Sequence, residues 1–277
     1  MIEAGTMRTA VPDRRFDRLA ALVSDEIGVK LPASKRQMVE SRLRRRMLNG
    51  GFRSLDDYLA HLFERGGLAE ERDAIFDAVT TNKTDFFREP AHYRYLAEMI
   101  VPTMRRARRP MFKVWSAAAS NGSEAWSAAM VLADIVPEVN WGILGTDINT
   151  QVLEDARRAI YPASHFEPVP QHLRERHVMI GTGDMAGEGR IHPSLRARVK
   201  FARLNLMDDR YPVDRDVDVI FLRNVLIYFE PVDQARVVHQ LTRHLARGGF
   251  LLVGHSESMV VREDCLTQVA PAIYQKA

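Results

Sequence analysis

This 277-residue sequence predicts an α/β fold: a doubly wound, mainly parallel sheet preceded by a small all-helical module. Three observations predict it. Up to residue 79 the apolar residues recur only at helical spacing. From residue 111 short apolar runs alternate with helical segments, the pattern of a parallel sheet covered on both faces. At the head of the second part lies Lys113–Met130, KVWSAAASNGSEAWSAAM. It reads as a buried strand, a turn of small residues and a helix N-terminus, which lets a ligand lie against bare backbone.

Composition is that of an ordinary globular protein, with a mean hydropathy of −0.23 and room for a sizeable core. The formal charge is +3, unevenly spread. Residues 1–110 hold 21 Lys/Arg against 16 Asp/Glu, and the remainder 18 against 20. A basic first part joined to a near-neutral second part predicts an acidic partner for the first. Cys265 is the single cysteine, which excludes an intrachain disulfide and points to a reducing compartment. The opening residues MIEAGTMRTAVPDRR lack the apolar core of a signal peptide, and no run approaches the length needed to span a bilayer. The expectation is a cytoplasmic protein without direct membrane insertion.

Taken in order, Phe16, Leu19, Ala20, Val23 and Ile27 form one helical stripe ended by Gly28. Ser34 is the expected cap of a second helix, closed by Asn49-Gly50-Gly51. Ser54 caps a third (Tyr58, Leu59, Leu62, Phe63), and a fourth carries Leu68, Ile75, Phe76 and Val79. On the second helix Lys35, Arg42, Arg45 and Arg46 fall within about a third of the circumference, opposite Val39, Leu43 and Met47. That face is either solvated or a docking surface for acidic groups. Thr80–Glu89, TTNKTDFFRE, breaks the helical pattern, either as an interdomain loop or as a segment lending polar groups to a site. Pro90 opens another helix, ended by Arg105, Arg106, Arg108 and Arg109 before Pro110.

Strands are expected at 111–115, 141–145, 217–222 and 250–253, and helices at 123–134, 149–160 and 231–246. Residues 181–200, with four Gly and a Pro, read as a hairpin-like insertion. The predicted organisation is a helical domain over 1–79, a linker and helix over 80–110, and the α/β domain over 111–277.

The turn after the first strand lacks the Lys of a phosphate loop and two of the three glycines of a dinucleotide loop. Glu124 in the first helical turn would repel pyrophosphate and attract a cation or hydroxyls. This points toward a positively charged nucleoside such as S-adenosylmethionine; taken alone, the stretch reads better as a plain Ala/Ser-rich buried turn. Polar residues after apolar strands add to it. Asp147 follows Ile143–Thr146 at the position that accepts ribose hydroxyl bonds in dinucleotide folds, or it caps the next helix. Asn205, followed by Leu206, can pair with an adenine edge or close an Asx turn. Arg223-Asn224 interrupts an apolar run and is costly to bury unsatisfied. The nine histidines do not cluster along the chain, so no metal site is expected. Nucleic acid is not expected either, because the basic segment lacks interleaved aromatics.

Six stretches together carry a resemblance: TTNKTDFFRE (80–89), VWSAAASNGSEAWSAAM (114–130), ILGTDIN (143–149), FARLNL (201–206), FLRNVLIYF (221–229) and GGFLLVGHSES (248–258). In this order they resemble the chemotaxis receptor methyltransferases of the CheR family. The resemblance implies a class I S-adenosylmethionine methyltransferase fold with a helical N-terminal domain and a small β insertion. It implies a protein-glutamate O-methyltransferase using S-adenosylmethionine and releasing S-adenosylhomocysteine. Its cofactor contacts would be Asn82, Thr84, Arg88, Ala117, Glu124, Asp147, Asn205, Leu206, Arg223 and Asn224. Tyr228 would line the methyl-transfer position, with Arg88 or Arg105/Arg106 steering the acceptor carboxylate. The partners would be the cytoplasmic helices of methyl-accepting receptors, met by Lys35, Arg42, Arg45 and Arg46. The family loop S-T-G-E-E-P-Y reads Ser120–Trp126 here, with one carboxylate lost and Trp in place of Tyr.

Overall fold

The structure, a computed structural model, describes residues 14–106 and 110–277. Arg108 and Arg109, expected to end a helix, lie outside the described residues, as do the opening residues 1–13 and the side chain of Arg106. The chain divides into two compact units, one ending at Val79 and one beginning at Thr80.

The first unit holds α1 (Arg14–Ile27), α2 (Arg36–Asn49), α3 (Leu55–Glu64) and α4 (Leu68–Val79). Phe16, Leu19, Val23 and Ile27 are buried, as the spacing requires, and so are Val39, Leu43, Tyr58, Leu59 and Phe76 on the other three helices. Ser54 caps α3 by accepting the Asp57 N–H at 3.1 Å. Ser34 does not cap α2. The entry is a tight 3-10 turn, Ala33–Lys35, closed by Lys35 N–H to the Pro32 carbonyl at 2.9 Å, and the α-helix starts only at Arg36. The basic face of α2 is partly spent inside the unit. Arg42 donates to the Ala78 carbonyl at 3.0 Å, and Arg46 pairs with Glu71, which also accepts the Tyr58 hydroxyl. Arg44 and Arg45 are exposed.

The second unit opens with a continuous helix: α5 (Pro90–Tyr95), a π-helical turn Leu96–Ile100 and α6 (Val101–Arg106). Then follow β1 (Phe112–Ser116), α7 (Ser123–Ile135), β2 (Trp141–Asp147) and α8 (Thr150–Arg158). An excursion of β3 (Ile160–Pro162), α9 (Gln171–His177), β4 (Val178–Ile180), β5 (Glu188–Ile191) and α10 (Pro193–Arg196) precedes β6 (Val199–Arg203). The chain ends through β7 (Val217–Leu222), α11 (Pro231–His244), β8 (Leu245–Val253), β9 (Leu266–Ala270) and β10 (Ile273–Lys276).

Seven strands form one sheet in the order β6-β2-β1-β7-β8-β10-β9. The first five are parallel, and β10 and β9 are added antiparallel. Val114 of β1 stands opposite both Ile143 and Val219, and all of β7 is buried, the signature of a sheet covered on both faces. The order runs outward from β1 through β2 to β6, then restarts at β7 on the other side. The crevice at this reversal, above the carboxyl ends of β1 and β7, is where open α/β sheets hold ligands.

The insertion is larger than the predicted 181–200 hairpin and begins earlier. Its three-stranded antiparallel sheet, β3-β5-β4, starts at Ile160, and only the β4–β5 turn and β5 fall in the predicted range. Residues 193–196 are α10, and Val199 already belongs to the main sheet. Its aromatic core reaches the linker: Phe86 packs on Phe166 and Tyr161 at ring separations of 4.8 and 5.2 Å.

Candidate functional site at the carboxyl ends of β1 and β7

The turn after β1 is shaped by close packing. Ala117 N–H bonds the Phe221 carbonyl of β7 at 2.9 Å, and Ala119 N–H bonds Thr146 of β2 at 2.8 Å, so one loop is stitched to both neighbouring strands. Gly122, at φ 87°, caps α7; a Cβ there would lie 2.9 Å from Ala156 and Phe201. Asn121 fixes the turn where the chain departs from the family loop. Its Oδ1 accepts the Ser123 N–H and hydroxyl at 3.1 and 2.8 Å, while its carbonyl accepts the Tyr161 hydroxyl at 2.6 Å. Trp126 is buried edge-on against Phe201 at 5.4 Å.

Asp147 ends β2 with both carboxylate oxygens placed: one accepts Ser120 N–H at 2.8 Å, the other Asn149 N–H at 3.0 Å. It is not the cap of α8. Asn149 fills that role through Val152 N–H at 3.1 Å. Ser120 Oγ donates to the Asn82 carbonyl at 2.9 Å, and Asn149 donates to Thr80 Oγ1 at 2.8 Å. The linker is thereby tied to β1 and β2 ends. Thr84 is half-buried on the same segment.

Glu124 and Arg223 meet across the reversal. Glu124 is buried, with Oε1 accepting Ser116 Oγ at 2.7 Å and Oε2 paired to Arg223 Nη1 at 3.0 Å. Burial pushes the Glu124 carboxyl up, and Arg223 and Ser116 pull it back toward the ionised form. Burial also opposes the Arg223 charge; Glu124, Tyr93 and Glu89 more than offset it. The guanidinium further touches the Arg88 carbonyl, Tyr93 Oη at 3.4 Å and Glu89 Oε2 at 3.2 Å. The Arg88 side chain itself turns back onto the Lys83 carbonyl at 3.1 Å.

Other expected residues are held locally. Asn205 Oδ1 accepts Met207 N–H at 3.0 Å, an Asx turn after β6, and the carbonyl of buried Leu206 accepts the Tyr211 hydroxyl at 2.6 Å. Asn224, at φ 58°, and the 3-10 turn ending at half-buried Tyr228 follow β7. Lys35, Arg42, Arg45 and Arg46 belong to the first unit.

Two of the nine histidines do come together, contrary to their spacing along the chain. His92 and His255 lie parallel at 5.2 Å, both against Glu89 (3.4 and 3.1 Å), although Glu89 and His255 are 166 positions apart. The donor atoms of this trio fall within 4.8 Å of one another. The shared Glu89 oxygen also faces Arg223, a fixed positive charge that any cation there would have to oppose. Burial, reinforced by Arg223, pushes His92 down to about 4. Sequence reasoning also passed over Glu257, which carries three backbone N–H bonds at the ends of β7 and β8. Its one sequence signal is a carboxylate four residues past the end of an apolar strand, at the same end of the sheet as Asp147.

Two outcomes follow. Arg223→Met is expected to cost about 3–5 kcal/mol by stranding Glu124, and Glu124→Gln in the same chain to restore much of it; additive losses in urea unfolding would refute the coupling. His92 has an ordinary value of 6.5, so between pH 6.5 and 4 the unfolded chain binds a proton that the folded chain refuses. Its contribution is complete above that window and is lost as pH falls through it. Urea midpoints of His92→Gln should therefore depend less steeply on pH than those of the wild type across this range.

Comparison with known proteins places this geometry. Residues 82–274 match the family model for the CheR methyltransferase, SAM binding domain, and residues 14–80 that for the CheR methyltransferase, all-alpha domain. A chemotaxis protein methyltransferase of Salmonella typhimurium is 38% identical over 265 residues, covering 94% of this chain and 90% of the relative. One from Escherichia coli is 36% identical over 271 residues, covering 97% and 93%. One from Pseudomonas aeruginosa, chemotaxis protein methyltransferase 2, is 36% identical over 254 residues, covering 90% and 88%. The donor set fits S-adenosylmethionine: small residues and bare backbone leave room for a nucleoside beside buried Asp147, a carboxylate that suits ribose hydroxyls and repels a phosphate, while the charge of Glu124 is balanced by Arg223. From its first described helix to its last strand, the chain belongs to the CheR methyltransferase family, with a class I fold and S-adenosylmethionine as its cofactor.

Proposed function

We propose that the protein methylates glutamate side chains of chemotaxis receptors, forming carboxyl methyl esters. The observation that carries this reading is the match, over 90% or more of the chain, to relatives named chemotaxis protein methyltransferases. Bound S-adenosylmethionine supplies a methyl group made electrophilic by its sulfonium. A glutamate carboxylate has a pKa of about 4.3 and is already ionised at neutral pH, so no general base is required. The S–C bond breaks as the O–C bond forms, leaving S-adenosylhomocysteine and the ester.

The protein's task is alignment and exclusion of water. Asp147 and Glu124 supply the acidic floor for ribose and the charged end of the cofactor, with Asn82, Thr84 and Ala117 closing one side and Asn205 and Leu206 the adenine side. Arg223 acts through Glu124, and Asn224 and Tyr228 stand on the loop beside the transferred methyl. Arg88 steers the incoming carboxylate, whereas Arg105, of the expected Arg105/Arg106 pair, is bound to Glu138 at 2.8 Å before the start of β2, at the amino ends of the strands, and has no part in that role. On the first unit, Arg45 with Lys35, Arg42 and Arg46 offers positive charge to acidic receptor helices. No described helix is long and apolar enough to cross a membrane, which suits an enzyme meeting the receptors' cytoplasmic segments.

Incubation with methyl-labelled S-adenosylmethionine and receptor-containing membranes is expected to give base-labile label on the receptors. Label on another acceptor, or none, sinks the receptor assignment. In the same assay Tyr228→Phe and Arg88→Ala should slow transfer, and full rates in both would remove these two residues from the site. Asp147→Asn should weaken cofactor binding by about 1.5–3 kcal/mol, the worth of a charge-assisted hydrogen bond. Unchanged affinity by titration calorimetry would take Asp147 out of the ribose site.

A further inference from the structure

We infer that Glu257 is a positioning residue for methyl transfer: its buried carboxylate sets the course of the loop that carries Asn224 and Tyr228. The inference rests on the reading that this loop walls the transfer position. Glu257 lies in the 3-10 turn His255–Val260 after β8 and is 1% exposed. Its Oε2 accepts Asn224 N–H at 2.7 Å and Gly254 N–H at 2.8 Å, and its Oε1 accepts Leu226 N–H at 2.8 Å. One side chain thus gathers backbone donors from the ends of two adjacent parallel strands.

The arrangement is demanding. Asn224 sits in the left-handed region at φ 58°, which asparagine adopts more readily than most residues and which turns the chain sharply at the end of β7. Gly254 must lack a side chain, because a Cβ there would lie 2.6 Å from Glu257 Oε2 and 2.7 Å from Asn224 Nδ2. The carbonyl side of the same loop is held from α11, where Gln234 Nε2 donates to Leu226 and Phe229 at 2.9 and 3.3 Å. Donors and acceptors of the loop are therefore clamped from opposite elements. Only a carboxylate presents acceptor oxygens to N–H groups on both sides; glutamine would turn a donor toward one of them.

The test uses the full chain carrying Glu257→Gln. In protein that keeps wild-type circular dichroism, kcat is expected to fall about tenfold or more. KM for receptor should move by about threefold or less, and Kd for S-adenosylmethionine should rise by no more than about tenfold, the loss of the Asn224 contact alone, because the β1–β2 floor is not held by Glu257. Amide exchange at Asn224 and Leu226 should speed up about tenfold while β7 amides stay protected. Wild-type kcat in the folded variant, or unchanged exchange at both amides, overturns the inference. If Glu257→Gln does not fold, Gly254→Ala, which keeps the carboxylate but displaces it, carries the same expectations. A wild-type protein that labels no receptor overturns the receptor reading alone; the exchange rates of Asn224 and Leu226 then decide the role of Glu257.

Discussion

The buried ion pair between Glu124 and Arg223 is the constraint on which the rest of the site depends. A carboxylate in the first turn of α7, flanked by small residues and almost without solvent, has to be matched by a cation. The cation comes from the end of β7, across the reversal of the sheet, 99 positions away in sequence. That single pairing draws the two halves of the sheet together above their carboxyl ends. The remaining hydrogen-bonding capacity of Arg223 then recruits the linker through the Arg88 carbonyl and Glu89. A guanidinium can do this because its planar fork offers several fixed donors at once.

Around this pair the site is built mainly from backbone held by side chains. Asp147 grips Ser120 and Asn149, Asn121 grips Ser123, and Glu257 grips Asn224, Leu226 and Gly254. Each grip uses an acceptor side chain on exposed N–H groups at the end of a strand or start of a helix, where the backbone has no ladder partner. Such a scaffold positions groups through backbone held in place rather than through proton transfer. That suits the proposed chemistry, in which nucleophile and electrophile both arrive already activated and geometry carries the rate.

Legibility followed the range of the signal. The helices of the first unit were readable from the 3.6-residue period, and β1, β2, β7 and β8 from runs of Val, Ile, Leu and Trp buried on both faces. β9, Leu266–Ala270, was not, because it is a short, largely exposed edge strand with little apolar pattern. β10 is hidden for a related reason: only Ile273 and Tyr274 are buried. Ser34 offered a good cap in isolation, but the extended Pro32 sets up a 3-10 turn in which the hydroxyl caps nothing. The early start of the insertion escaped because Ile160–Pro162 is only three residues long and pairs with a strand almost thirty residues later.

The sequence by itself determined the fold class, the β1 turn that excludes a phosphate loop, and the acidic and amide residues that follow the strands. These depend on local chemistry: burial pattern, side-chain size and the cost of placing a polar group after an apolar run. Tertiary structure alone decided the partners. Glu124 turned out to face Arg223, His92 to face His255 through Glu89, and Glu257 to hold the loop after β7. Each of these pairings joins residues far apart in the chain, and only a closed sheet brings them within hydrogen-bonding distance.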